Sequence, residues 1–369
     1  MNREAPLRDN ALENLTVKHP KQQDAKERIE FFANHASSVS LIVLAGPSGV
    51  GKSNLLERFI ESFNQQHATT IAANPSAVPI VYTQAVANGH KSFDFRRLHT
   101  DALKALHDPF ARYRSHRRTN NAPRVRLDGE SKTAARLRED LEDEMMARQT
   151  LVWVIDEAHH VVRGGKSGKP GDQFDILKSF AQITGVKVVL AGTYDLPQFL
   201  ASSGQLSRRS ATVQLDRYHW HDQKERNIFA SVVAKILQQL PLEDVPKVVG
   251  NTEYFYVHSC GCVGICKDWI MRAFAIAMRE GSKTLTLAHL EQARLNNEQL
   301  ETISADIEKG EYFMRRANSP HLDSDIVSRI LGTAPAISKP PAAPSPAAKP
   351  KRLPGNRAPA RDCVAGVAA

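Results

Sequence analysis

The chain has 369 residues, 41% of them hydrophobic, and 49 Lys and Arg against 40 Asp and Glu give a formal charge of +9. That length accommodates one large or two smaller domains with a proper core, and the positive balance favours an anionic partner. No run of eighteen apolar residues occurs, which argues against a membrane-spanning helix. The opening residues MNREAPLRDNALENLTVKHP lack the apolar stretch of a signal peptide, and four cysteines without a paired framework fit a reducing cytosol.

Taken in chain order, VSLIVLAG (39–46), VPIVYTQAV (78–86), TLVWVIDEA (150–158) and VKVVLAGT (186–193) read as buried strands rich in β-branched residues, and ATVQL (211–215) as a short fifth. Helical patterns separate them: KSNLLERFIESFNQQ, FDFRRLHTDALKALH, KTAARLREDLEDEMMA and FDILKSFAQIT. Continuous apolar strands alternating with helices predict an α/β fold with a parallel sheet covered by helices on both faces. From Tyr218 to about Asn297 the patterns are mainly helical and predict a second, smaller unit. From about Thr333 the composition turns basic and Pro/Ala-rich without aromatics, and such a segment buries too little surface to fold. It reads equally as an inert linker or as a basic docking tail for protein or DNA.

GPSGVGKS, Gly46 to Ser53, satisfies the pattern G-x-x-x-x-G-K-[ST] between a strand and a helix. Its glycines Gly46, Gly49 and Gly51, with Pro47, Ser48 and Val50 between them, let backbone N–H groups turn inward and cradle phosphates at a helix N-terminus. Lys52 then reaches the β- and γ-phosphates of ATP, and Ser53 holds Mg²⁺. About a hundred residues later LVWVIDEAHH ends a strand on Asp156 and Glu157, at the edge where ligands of open α/β sheets sit. Asp156 suits Mg²⁺, and Glu157 suits orienting and deprotonating the attacking water. His159 and His160 are read as second-layer or solvated residues rather than ligands. DEAH invites a helicase reading, but the motifs of a second helicase domain, and the room for one, are missing after residue 215. An LSGGQ-like signature of transporter ATPases is also missing.

The chain resembles AAA+ ATPases and, within them, TniB/TnsC-type regulators of DNA transposition. The resemblance spans roughly residues 15 to 300. It is carried by HPKQQDAKERIEFF, LAGPSGVGKSNLLERF, LVWVIDEAHH, VVLAGTYDL, QLSRRSATVQLDRYHW and GICKDWI. It implies an AAA+ P-loop NTPase sheet with a C-terminal all-helical lid, and a division into a leader (1–20), an α/β nucleotide-binding domain (21–217), the lid (218–300), a C-terminal extension (301–332) and the tail (333–369). It places Thr193 at the sensor-1 position, where many relatives have Asn, and Arg208 and Arg209 where an arginine finger reaches the neighbouring subunit's ATP. In SCGCVGICK (259–267) it implies that Gly261 and Gly264 bend the chain and that Lys267 is a basic sensor-2 residue contacting nucleotide. Cys260, Cys262 and Cys266 next to His258 are cramped for one tetrahedral zinc, so they are read as small residues packing the lid.

ARYRSHRRTNNAPRVRLDGESK carries Arg112, Arg114, Arg117, Arg118, Arg124 and Arg126 before its first acid, an electrostatic footprint for phosphates. By resemblance this region and Lys91 track DNA. The basic loop GGKSGKPGD (164–172), near the ATP site, reads from its own composition as a subunit or DNA contact. The expectation is therefore an ATPase that oligomerises as a ring or filament on double-stranded DNA with little sequence preference. It would link a target-selecting protein to a transposase, in a bacterial cytoplasm and on the nucleoid. The alternatives are another DNA-linked AAA+ ATPase of the helicase-loader type and a signalling or secretion ATPase that does not act on DNA.

Overall fold

The structure, a computed structural model, describes residues 17–35, 38–87, 93–107, 133–163, 170–201, 204–319 and 324–331. Lys91, the six arginines from Arg112 to Arg126, most of the 164–172 loop, most of the leader and the tail from residue 332 lie outside the described residues. In chain order the elements are α1 (Pro20–His35), β1 (Leu41–Ala45), α2 (Lys52–Gln66), α3 (Ala68–Ala73), β2 (Ile80–Gln84), α4 (Phe95–His107), α5 (Ala134–Ala147), β3 (Val152–Asp156), α6 (His159–Arg163), α7 (Pro170–Thr184), β4 (Lys187–Gly192), α8 (Asp195–Ala201), α9 (Gly204–Arg209) and β5 (Ser210–Gln214). A helical run follows: α10 (Gln223–Gln238), α11 (Thr252–Ser259), α12 (Val263–Arg279), α13 (Leu287–Ala293) and α14 (Asn297–Ala317). A separate C-terminal unit starts at Ser319 and holds α15 (Ser324–Ile330).

The five strands form one sheet in the order β2-β3-β4-β1-β5, and every pairing is parallel. Because side chains alternate across a strand, β1, β3 and β4 each feed two cores. Leu41, Val43, Trp153, Ile155, Val188 and Leu190 pack with α4, α5 and α7 on one face. Ile42, Leu44, Val152, Val154, Val189 and Ala191 pack with α1 and α2 on the other. Burial on both faces is why these strands read as unbroken apolar runs.

The strands are shorter than those runs. Val78, Ala85 and Ala158 are buried in the same core as the strands yet lie beyond the strand ends, and burial alone does not mark where a strand stops. The helices match their patterns closely, and their ends have local causes. Thr133 caps α5 by accepting from the Arg136 N–H, and Asp222 caps α10 by accepting from the N–H groups of Lys224 and Glu225.

The lid helices α10 to α13 close around their own core of Phe229, Val233, Phe255, Trp269, Ile270 and Leu290. Trp269 Nε1 donates to Leu290 O at 2.8 Å, satisfying the one polar atom of the largest side chain buried there. α14 then runs back to the sheet: Met314 enters the core beneath β4. Glu311 forms a bidentate pair with Arg217, with Arg217 Nε to Oε1 at 2.9 Å and Nη2 to Oε2 at 3.1 Å. Gly310 passes so close to Tyr194 that a Cβ there would stand 2.0 Å from the ring.

Candidate nucleotide site

The loop between β1 and α2 turns through two residues in the left-handed region, Gly49 (φ 72°) and Gly51 (φ 103°), where a side chain is strained. Gly46 lacks room for one, since a Cβ would lie 2.1 Å from Leu215 O. α2 begins at Lys52 with no capping side chain and no acid in its first turn, so its free N–H groups and dipole face the loop. Lys52 is buried, and its Nζ donates to Gly46 O at 3.0 Å and Pro47 O at 2.8 Å. Burial pulls its pKa below the ordinary lysine value, against the raising pull of the Glu157 and Asp156 charges. This is a concave nest of donors and one ammonium, the chemistry that holds a polyphosphate.

Beside it stands the acidic end of β3. Asp156 Oδ2 accepts from Ser53 Oγ at 2.8 Å and from the Tyr82 hydroxyl at 3.2 Å, and Asp156 is 2% exposed. Its Oδ1 accepts the Glu157 N–H at 2.8 Å. Glu157 is left-handed (φ 52°), a conformation that costs a non-glycine residue about 1 kcal/mol. That turn releases its side chain from the strand direction, and its Oε2 meets Nδ1 of buried His159 at 3.1 Å. Ligating atoms of Glu157, His159 and His160 lie within 4.8 Å of one another. Ser53 and Asp156 together offer adjacent hard oxygen donors, a set that fits Mg²⁺. Tyr82 was not found from sequence, because only strand pairing carries it from β2 to Asp156.

Thr193, at the end of β4, lines a cavity of about 140 Å³ with Pro47, Ser48 and, from α14, Ile307 and Gly310. On the other side of the loop, Lys267 lines a smaller cavity of about 70 Å³ with Val50, Gly51 and Asn54. The lid touches the loop directly, since the Ile265 N–H donates to Gly49 O at 3.1 Å. Here the structure corrects one expectation. Gly261 does turn the chain, with φ 72°, but Gly264 lies inside α12. Its role is close approach, because a Cβ there would stand 2.3 Å from Gly49 O.

The cysteines divide between two cores. Cys266 packs inside the lid, whereas Cys260 and Cys262 pack against Ile307 of α14. Burial raises all three thiols, Cys262 to about 12, as expected of small cysteines packed among apolar side chains. Arg208 and Arg209 stand at the far end of the sheet from the loop. Arg209 O accepts the Ser40 N–H just before β1, and the five residues of β1 separate that point from Gly46, roughly 17 Å of strand. They line a cavity of about 520 Å³ with Ser38, Ser40, Gln182 and Lys187.

Gly264→Ala must push α12 off the loop, because backbone atoms rather than a flexible side chain stand in the way. The expected outcome is ATP affinity reduced at least about tenfold with the melting temperature nearly kept, checked by titration calorimetry and thermal unfolding. Unchanged affinity in the folded variant would show that lid contact at Gly49 does not matter for binding.

Residues 35–200 match a family model described as AAA domain. No curated protein matches the sequence. Among solved structures, the chain is similar to the Aeropyrum pernix ORC1 protein in complex with DNA, at 14% identity and TM-score 0.52 over 88% of this chain and 85% of that one. It is also similar to the Aeropyrum pernix ORC2 protein in ADPNP and ADP complexes, at 10% identity and TM-score 0.51 over 80% and 74%. The chain has the fold of the AAA+ P-loop NTPases, a five-stranded parallel sheet with surrounding helices and a helical C-terminal region.

Proposed function

We propose that this protein is a DNA-bound ATPase whose subunits assemble with ATP and complete one another's active sites. The observation that carries the ATPase reading is the pairing of Ser53 with Asp156 across 103 residues of chain, beside a lysine folded into a phosphate-shaped loop. ATP would lie with its phosphates against residues 46–53. Mg²⁺ held by Ser53 and Asp156 would neutralise phosphate charge. Glu157 would take the proton of the attacking water, with His159 holding its carboxylate, while Thr193 orients the terminal phosphate and Lys267 meets the nucleotide from the lid. The domain division at residues 217 and 300 is part of the same reading. Lys52→Ala is expected to abolish ATP binding. Glu157→Gln is expected to bind ATP normally while phosphate release falls about 10²-fold or more; release at the wild-type rate would remove Glu157 from the mechanism.

Arg208 and Arg209 are a strand's length from the phosphate loop of their own chain, beyond the reach of an arginine side chain. If either acts on ATP, it acts on a neighbour's. Such an arginine is worth roughly 10³ to 10⁵ in rate. The variant with both changed to Ala is expected to bind ATP and turn it over slowly, and to recover activity when mixed with Lys52→Ala protein. A co-assembled mixture no faster than either variant alone would rule out action in trans.

The DNA reading is supported by the charge of +9 and by the arginine run from Arg112 to Arg126 with Lys91. Contacts of that kind bind phosphates without reading sequence. A role in coupling a target selector to a transposase rests on the motif resemblance.

A further inference from the structure

We propose that His19 reads the base of the bound nucleotide, its Nε2–H donating to the N1 acceptor of adenine; this rests on the nucleotide-site reading above. The 70 Å³ cavity opens at Gly51 and Asn54, where the loop becomes α2, on the side of the loop away from Thr193. A nucleotide with its terminal phosphate toward Asp156 and Thr193 sends its nucleoside out on this side. Its apolar walls are Val17, Val50, Ile236 and Val263, which suit a flat aromatic ring, and Gln22, Asn54 and Lys267 also line it.

In that apolar setting His19 is 4% exposed, and its Nε2 has no hydrogen-bond partner. A buried polar atom left unpaired costs about 1 to 3 kcal/mol, and such atoms in folded proteins have a reason. Across the ring, the Tyr218 hydroxyl lies 2.9 Å from His19 Nδ1, and in the proposed arrangement that hydroxyl donates to Nδ1. With Nδ1 accepting, the ring proton sits on Nε2. Burial, aided by the charges of Arg58 and Lys21, holds the imidazole pKa down to about 4, so the ring stays neutral with a single N–H. Position is set as well: Gln22 in the first turn of α1, three residues after His19, donates to Gly51 O at 3.1 Å, tying α1 to the phosphate loop. Adenine N1 accepts a hydrogen bond whereas guanine N1 carries a proton, so one fixed donor distinguishes them. A site built around a hydrogen bond rejects the analogue that lacks it.

The test uses the full chain with Mg²⁺ and measures affinities for ATP, 1-deaza-ATP, 7-deaza-ATP and GTP by competition against a fluorescent ATP analogue. The expected result is 7-deaza-ATP binding like ATP, with 1-deaza-ATP and GTP weaker about tenfold or more. His19→Phe is expected to remove the difference between ATP and 1-deaza-ATP while still binding ATP. The wild-type comparison decides the matter even if that variant does not fold. Equal affinity for ATP and 1-deaza-ATP overturns the role of His19 and leaves the nucleotide site standing. A folded wild type that binds no purine triphosphate overturns both.

Discussion

The arrangement depends on one backbone contact, the Gly49 carbonyl accepting the Ile265 N–H at 3.1 Å with no side chain at Gly264 to keep the two apart. It fastens the first turn of a 17-residue lid helix to the middle of the phosphate loop. Everything near the nucleotide site is arranged about that point. The cavity bearing Lys267 and His19 lies on one side and the cavity bearing Thr193 on the other. The lid has its own core, built on Phe229, Trp269 and Ile270. In the proposed function, a change in the loop would be delivered to the whole lid rather than absorbed by one side chain, because packed cores shift as units.

A second fastening runs through Arg217. Its guanidinium holds Glu311 of α14 in a bidentate pair and reaches Cys260 O at 3.4 Å at the turn before the lid helix. Arg217 thus joins the end of β5, the lid turn and the returning helix. With the Gly310–Tyr194 approach, this sets α14 beside Thr193 and the loop residues Pro47 and Ser48. In the proposed function, the same helix would sense what Thr193 contacts. In the proposed function, Arg208 and Arg209 at the opposite end of the sheet would mark the surface offered to a neighbour, and one parallel sheet would carry the two halves of a shared site at its two ends.

Much of this was legible in the sequence where the information is contiguous. Gly46 to Ser53 encode their loop locally, since left-handed turns need glycine and a helix start needs uncapped donors. Asp156 and Glu157 were visible because an apolar run ending in acids marks a strand edge. What escaped depends on pairings far apart in sequence. Tyr82 reaches Asp156 through the β2-β3 ladder, His19 meets Tyr218 across 199 residues, and Glu311 meets Arg217 across 94. Gly264 was read as a bend from the family resemblance; its close-approach role requires knowing what lies opposite. Strand ends were overdrawn because buried loop residues such as Ala85 look like strand to a hydrophobicity pattern.

The central claim is that nucleotide bound at the phosphate loop is clasped by the lid. Hydrogen–deuterium exchange with and without ATP and Mg²⁺ tests it most directly, followed at peptides covering residues 46–53 and 259–267. The account predicts that ATP slows exchange in both segments together, and in neither for Lys52→Ala. Protection of the loop with no change in the lid segment would contradict it.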